Sequence, residues 1–507
     1  MSSNNEKIGN LIYQIRQERG LTQAEFARRL GTSQSAVNRM EHGKQNLSIE
    51  TLGRVSDVLN KQLISIGGGG INLRIEGRTE LSGSVVLKKS KNAAVALLCA
   101  SLLNHGVTRF KSFPRIEEVN RIVEVLESIG VKIRWSSNND LEIRRPEKLD
   151  LSSINSSSAR KTRSVLMLLG PLMHEFNEFK IPYAGGCKLG TRTVTPHLFA
   201  LEEFGLGVIA HTGYYQITVN KKRPDDHVVL YESGNTVTNN VLMAAARTKG
   251  ITTIHGSSAD YMVQDLCLFL NKLGVKTKDL KASNLEVTGI PYIKKNVTFA
   301  PTEDPIEAMF FISAAITTNS KLTIKRVPID WIALELLKLK KMGLKFKKTA
   351  RYKSDNGAID LVDLVIEKHN GELTAPIDKL HPNLWPGINP DCIPYFVPIC
   401  GVAKGRTLVH DWIFENRALY FTEMTKIGMN IELADPHRVY INGPTKFTSA
   451  DVVCPPALRP ASLLLIGMLA ANGVSMLRNV YTINRGYEDI AERLNAIGAN
   501  ITVIHEL

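Results

Sequence analysis

The sequence predicts an α/β protein whose body is six repeated units, arranged as two lobes of three, preceded by a small all-helical domain. Three observations carry that expectation. A helix-to-strand phrase recurs six times along the 507 residues, four consecutive glycines at 67–70 set off a short leading segment, and that segment shows helical periodicity.

In the leading segment, Leu11, Ile15, Phe26, Leu30, Val37, Leu52, Val55 and Leu59 recur at helical spacings, broken by Gly20, Gly31 and Gly43. Residues 1–65 should therefore form a compact helical unit. Four glycines in a row suit neither a helix nor a strand interior, so residues 66–70 are the expected linker. Residues 21–43 read as helix, glycine-containing turn, helix, with Thr22 and Thr32 as expected N-caps. Small Ala27 permits a close helix crossing and Val37 anchors the second helix inward. Gln34, Ser35, Asn38 and Arg39 are left on the opposite face, with Gln23 opening the preceding helix. Amide, hydroxyl and guanidinium groups are the types that read base edges in a major groove. Residues 7 to about 63 resemble the helix-turn-helix of the Cro and phage-repressor family, which implies double-stranded DNA as a partner and a homodimer as an open arrangement. The competing reading is a helical module for protein contacts. Residues 1–65 hold nine Lys/Arg against six Asp/Glu, so only +3 of the chain's +14 lies there, modest for a DNA-binding unit.

The recurring phrase occupies residues 126–133, 201–208, 270–275, 339–346, 424–431 and 494–501. Each copy reads as a helix that ends in glycine and turns into a strand. Their glycines, Gly130, Gly205, Gly274, Gly343, Gly428 and Gly498, lie 75, 69, 69, 85 and 70 residues apart, the spacing of an internal repeat. Six such units do not suit a doubly wound sheet with one switch point. Two lobes with a cleft between them suit better.

Within the body, residues 72–86 alternate as strands, and Lys91-Asn92 then opens an apolar helix. Backbone N–H groups at a helix start favour a phosphate or carboxylate beside such a pair. A second constellation is Ala184-Gly185-Gly186-Cys187-Lys188-Leu189-Gly190-Thr191-Arg192. Its glycines make a mobile or tightly turned loop, and its two cations favour the thiolate of Cys187, against the alternative of a quiet surface cysteine.

Composition narrows the class. With 43% hydrophobic and 22% charged residues the chain is neither a disordered tail nor a coiled coil. The apolar stretches 93–103 and 463–471 fall short of the roughly 20 residues needed to span a bilayer, and the polar start 1–6 has no signal-peptide core, so a cytoplasmic location is expected. Six cysteines without a C-x-x-C pair indicate neither a disulfide framework nor a zinc site. The remaining +11 is read as solvated surface together with anion sites.

A family resemblance rests on Lys91-Asn92, Arg163 seven residues before Gly170-Pro171-Leu172, Gly185-Gly186-Cys187 with Gly190 and Arg192, Phe414-Glu415-Asn416-Arg417, Leu458-Arg459 and Arg485-Gly486-Tyr487-Glu488. In order and spacing, residues 71–507 resemble the UDP-N-acetylglucosamine enolpyruvyl transferases, relatives of the EPSP synthases. The resemblance implies an inverted α/β barrel of two lobes, with residues 71–90 plus 302–507 forming one and residues 91–301 the other. It implies addition of a sugar 3′-hydroxyl to C2 of phosphoenolpyruvate with loss of phosphate, and no metal or organic cofactor. It further implies that Lys91, Arg163, Arg192 and Arg485 hold phosphoenolpyruvate and that Arg417 and Arg459 complete the cage on closure. Cys187 is implied as the loop thiol that protonates or captures the enolpyruvyl carbon. Asp391, 26 residues before Arg417, is implied as the base, and Asn92, Asp304 and Ile413 as further cleft positions.

Three departures stand out. Ala457 precedes Leu458-Arg459 where the family has Asp; Thr193-Val194-Thr195-Pro196 replaces the usual uridine-binding turn; and Glu232 with Gly234-Asn235-Thr236 stands where a lysine serves the diphosphate. The leading expectation is an enolpyruvyl transferase acting on UDP-N-acetylglucosamine in peptidoglycan precursor synthesis, tethered to a DNA-binding domain. The alternatives are a transcription regulator whose body senses phosphoenolpyruvate or a nucleotide sugar, and an enolpyruvyl transferase acting on another nucleotide.

Overall fold

The computed structural model describes residues 4–45, 47–59, 71–185, 193–220, 223–224, 227–280 and 283–505. The expected linker 66–70 and two of the predicted site residues, Cys187 and Arg192, lie outside the described residues.

Four helices make the leading domain: α1 (Asn4–Glu18), α2 (Gln23–Leu30), α3 (Gln34–Glu41) and α4 (Ile49–Val58). Ile12, Ile15, Phe26, Leu30, Val37, Leu52, Val55 and Leu59 share one apolar core. Thr22 caps α2 in a reciprocal capping box with Glu25, an arrangement of about 1 kcal/mol. Thr32 does not cap α3. Its N–H closes the end of α2 by donating to the Ala27 carbonyl past left-handed Gly31, and the cap falls to Ser33, whose Oγ accepts from the Ala36 N–H at 3.2 Å. The expected cap was one residue early because the turn spends Thr32 on the preceding helix.

The body contains six sheets among the described residues, each of three to five strands. The six repeat glycines all adopt left-handed φ, between 87° and 104°. That conformation suits glycine because a Cβ would meet the neighbouring carbonyl. Leu126, Leu270, Leu339, Met424 and Leu494 each accept a bond from the N–H just past the repeat glycine, so one turn geometry recurs at five of the six sites. Most sheets combine an antiparallel hairpin with a parallel neighbour; in one, Ile254 pairs antiparallel with Leu285 and parallel with Val228.

Two large apolar cores fill the body. One draws on residues 73–87 and 306–501, the other mostly on residues 93–299. Their innermost helices, α5 (Lys91–Ala100), Asn235–Ala246, Pro305–Thr317, Ile393–Val402 and Leu458–Ala470, are buried along almost their whole length. Such helices read as apolar on nearly every side. Where the chain passes between the cores, Lys89 pairs with Glu303 at 2.6 Å and with Asp355 at 2.7 Å, tying the two crossing segments together.

Candidate active site

A cavity of 590 Å³ opens beside the starts of α5, Asn235–Ala246 and Leu458–Ala470, lined from both parts of the body. Lys91 and Asn92 stand in the first turn of α5, which Ser90 caps. Leu458 and Arg459 stand at the start of Leu458–Ala470. Ala457 provides no side-chain cap there, so no N-cap side chain occupies the first N–H groups of that helix. Arg163, Arg417, Arg485, Asp391 and Ile413 complete the set of predicted residues on the wall. Asp304 is not among the lining residues. It caps Pro305–Thr317 through the N–H of Ile306 at 2.8 Å, and its other oxygen lies 3.5 Å from the Lys91 N–H, behind the site.

The cations are held in place by neighbours of opposite character. Arg417 is buried, doubly bonded to Asp411, with Nη2 donating to the Pro390 carbonyl at 2.6 Å and the Phe414 ring 4.0 Å from its guanidinium. Arg459 donates to the Tyr487 hydroxyl at 2.8 Å and to the Tyr395 hydroxyl at 3.3 Å, and the two tyrosine hydroxyls touch each other. Gly486 lies against Leu458, where a Cβ would sit 2.2 Å from a leucine methyl, so the 485–487 turn nests on the helix that carries Arg459. Arg163 donates to the Thr193 carbonyl at 2.6 Å. Gly185, at the base of the Cys187 loop, packs so closely on Arg160 that a Cβ would lie 1.5 Å from its carbonyl oxygen.

Two carboxylates sit among these cations. Asp391 lies 3.3 Å from Arg459 and 3.5 Å from Arg417. Burial would raise its pKa, but Arg459, Arg417 and Lys91 overcome burial and hold it at about 2. Glu118, which the sequence reading missed, accepts from Arg485 at 2.9 Å and from the Thr162 hydroxyl at 2.5 Å. Burial would raise Glu118 as well, and Lys91 and Arg485 bring it below the ordinary value. Burial lowers the pKa of the Lys91 ammonium, which Glu118 partly offsets. In sequence, Glu117-Glu118 is an ordinary acidic helix start, with no signal that it meets Lys91.

Another part of the lining is of a different kind. It is made by Thr193, Pro196, His197, residues 232–236 and Asp260, none of them a lysine or arginine, and Arg163 reaches it through the Thr193 carbonyl. Asp260, also missed, caps Tyr261–Leu273 and accepts from the Asn389 amide at 3.3 Å; burial pushes its pKa up to about 6. Behind it Glu335, accepting from the Asn389 N–H at 3.0 Å, is pushed up to about 7 by burial.

Of the cysteines described, Cys99, Cys392, Cys400 and Cys454 are buried and Cys267 is partly so, and burial raises every one of these thiols. None is set up as a thiolate nucleophile. No group of His, Cys, Asp and Glu suited to a metal ion occurs among the described residues. No helix among them is long and apolar enough to cross a membrane.

In the leading domain, Gln34, Ser35, Asn38 and Arg39 all face solvent on α3. Gln23 does not stand with them. Its amide donates to Glu41 at 2.8 Å, joining the buried Arg16–Glu41 pair beneath the two helices.

Comparison with known proteins agrees with both parts of the chain. Residues 12–65 match the helix-turn-helix family, and residues 75–494 match the EPSP synthase (3-phosphoshikimate 1-carboxyvinyltransferase) family. UDP-N-acetylglucosamine 1-carboxyvinyltransferase of Helicobacter pylori is 28% identical over 437 residues, which cover 86% of this chain and 99% of the relative. The Campylobacter jejuni protein of the same name is 29% identical over 440 residues, with the same coverage. Among solved structures, the enolpyruvyl transferase NikO from Streptomyces tendae superposes with a TM-score of 0.73 at 21% identity, covering 87% of this chain and all of that one. EPSP synthase from Acinetobacter baumannii gives 0.65 at 15% identity, covering 86% and 100%. With the two-part, six-sheet body and the inward helix starts, these matches make the chain a member of the EPSP synthase family of enolpyruvyl transferases, with the inverted-barrel fold and an N-terminal helix-turn-helix domain.

Proposed function

We propose that the protein transfers the enolpyruvyl group of phosphoenolpyruvate to a hydroxyl of a nucleotide sugar, with UDP-N-acetylglucosamine as the leading acceptor and peptidoglycan precursor synthesis in the cytoplasm as the role. The N-terminal domain binds double-stranded DNA in this reading, through Gln34, Ser35, Asn38 and Arg39. The observation that carries the chemistry is the convergence of Lys91, Arg163, Arg417, Arg459 and Arg485 on one cavity with Asp391 between two of them. So many cations around one small volume match a ligand with both phosphate and carboxylate groups.

The reaction joins the acceptor oxygen to C2 of phosphoenolpyruvate while its hydroxyl proton passes to a base and another proton is delivered to C3. The ketal then loses a C3 proton and breaks its C2–O bond to phosphate, restoring the double bond. Asp391 is the base of this scheme. Paired with Arg459 and Arg417, it is held near pKa 2 and is a weak proton acceptor. A trianionic substrate that draws those arginines to itself removes the stabilising charge and raises Asp391, so the base strengthens when substrate arrives. Cys187 serves as the proton donor to C3 and Arg192 as a further charge stabiliser, on the strength of the family resemblance. Asn92 and Ile413 contact substrate, and Asp304 steadies the start of α5 at Lys91. No metal or organic cofactor takes part. Residues 71–90 plus 302–507 act as one lobe, and residues 91–301, with the Cys187 loop, as the other.

A second reading, transfer to a different nucleotide, is favoured by the cation-poor acceptor wall around Glu232. Phosphate release from phosphoenolpyruvate, with UDP-N-acetylglucosamine and then with other uridine nucleotides, tests both, beside a Cys187→Ala control. Release that requires UDP-N-acetylglucosamine supports the first, release with another nucleotide alone supports the second, and no release with any acceptor overturns the transferase reading.

A further inference from the structure

The helix-turn-helix domain is seated on the body. Gly20, with left-handed φ of 62°, lies against Trp135, where a Cβ would come within 2.1 Å of the tryptophan Cβ and 2.7 Å of an Arg115 nitrogen. Beside it, the Arg19 guanidinium meets Glu117 Oε1 at 2.5 Å, with side-chain exposures of 7% and 1%. Arg115 joins the same contact. It donates to the Ser136 carbonyl at 2.7 Å, its guanidinium lies 4.9 Å from the Trp135 ring centroid, and its charge is felt by Glu25, Arg29 and Arg19 of the helical domain. The recognition side chains on α3 remain exposed in this docked arrangement.

Glu117 and Glu118 are consecutive residues in the first turn of α6 (Glu117–Ser128). One holds the DNA-binding domain and the other holds the cavity: Glu117 takes Arg19, and Glu118 takes Arg485 at 2.9 Å. A second strand of contact runs in parallel. Tyr481, whose hydroxyl donates to Glu117 at 3.4 Å, and Arg485 bracket the short helix Tyr481–Asn484. Arg19 is thus linked to a cavity cation through two adjacent carboxylates and one five-residue segment.

We propose a second function for the protein: ligand-controlled release of its DNA-binding domain, in which a phosphate- and carboxylate-bearing ligand in the cavity displaces Glu118 and thereby loosens the Arg19–Glu117 seat. This rests on the reading of the cavity as the phosphoenolpyruvate site. Glu118 is bonded to Arg485 and lies in the field of Lys91, so a ligand that uses these cations must compete with that carboxylate. Glu118 and Glu117 are neighbours in one helical turn, so a shift of that turn as Glu118 yields also moves Glu117, and a short charge-assisted pair tolerates little displacement. Ligand binding and docking therefore oppose each other. By linkage, each weakens the other by the same factor.

The test uses the full-length chain. Phosphoenolpyruvate affinity is measured by calorimetry for wild type, Arg19→Ala and Glu117→Gln, with Arg19→Lys as a charge-retaining control. Amide hydrogen exchange over residues 16–21 and 132–136 is followed in wild type with and without phosphoenolpyruvate. The proposal expects Arg19→Ala and Glu117→Gln to bind phosphoenolpyruvate about 5-fold or more tightly than wild type. Arg19→Lys should lie nearer wild type, and added ligand should speed exchange in both segments. Equal affinities in all four proteins, or exchange indifferent to ligand, overturn it. Phosphate release from the same samples separates the two readings. Turnover without coupling removes only this inference, coupling without turnover leaves it standing and removes catalysis, and no binding of phosphoenolpyruvate removes both.

Discussion

The two walls of the cavity use the same residue types to opposite effect. On the wall formed by Lys91, Arg417, Arg459 and Arg485, carboxylates are surrounded by cations, and Asp391 and Glu118 are held below their ordinary pKa. Elsewhere in the lining Asp260, and behind it Glu335, are as deeply buried but have no comparable cationic neighbours among the described residues, and they rise to about 6 and about 7. Burial is common to all four, and the cations beside Asp391 and Glu118 reverse its effect there. The first wall is an anion trap whose counter-ions are already installed. The second offers no lysine or arginine at its described lining positions and carries Glu232, a poor match for a diphosphate.

Breaking the first wall should have the largest consequence. Arg459→Ala removes a buried cation that bonds Tyr487 and Asp391, and kcat/KM for phosphoenolpyruvate should fall about 10³-fold. A fall of less than tenfold in steady-state phosphate release would take Arg459 out of the charge-stabilising role. Asp391→Asn should lower kcat about 10²-fold while phosphoenolpyruvate binds more tightly, because Arg459 and Arg417 lose their competing carboxylate. Calorimetry beside the rate measurement distinguishes this from simple loss of structure, in which both would worsen.

The second wall should respond more gently. Glu232→Lys adds the cation that this wall lacks, and should lower KM for UDP-N-acetylglucosamine about tenfold with little change in KM for phosphoenolpyruvate. An unchanged acceptor KM would mean that no diphosphate passes Glu232. The smallest effect is on stability. Because burial raises the folded-state pKa of Glu335 from 4.5 to about 7, the folded protein holds more protons than the unfolded chain across that window. Stability is then lost as pH rises through it, by on the order of 3 kcal/mol for this group. Glu335→Gln, which keeps an acceptor for the Asn389 N–H, should flatten the decline in melting temperature between pH 5 and 8; identical pH profiles would show that Glu335 titrates normally.

The anion-trap wall was also the more legible from sequence. Lys91-Asn92, Arg459 and Arg485 occur in short phrases with helix-start or turn character, so their chemical types and local positions could be read together. Glu118 and Asp260 could not be found that way. Both look like ordinary acidic residues at helix starts, and their roles depend on partners far along the chain, such as Arg485, 367 residues beyond Glu118. Asp304 shows the converse. Family position pointed to the cleft, yet its carboxylate is taken up by the first turn of Pro305–Thr317. Gln23 likewise has the right type for a base contact but is committed to Glu41.

By itself the sequence determined what depends on local chemistry. Six glycines at even spacing dictate six helix-to-strand turns, because only a residue without Cβ enters the left-handed conformation cheaply, and all six adopt it. The amphipathic periodicity of residues 11–59 likewise dictates a small helical domain, with Gln34, Ser35, Asn38 and Arg39 on the exposed face of α3. The tertiary structure alone decided how charges are paired. It set Asp391 between two arginines, gave Asp260 and Glu335 no such partner among the described residues, and seated Arg19 on Glu117 next to the carboxylate that meets Arg485. Electrostatic partnership acts through space over a few ångströms, and nothing in the spacing of residues along the chain encodes which distant side chains will come that close.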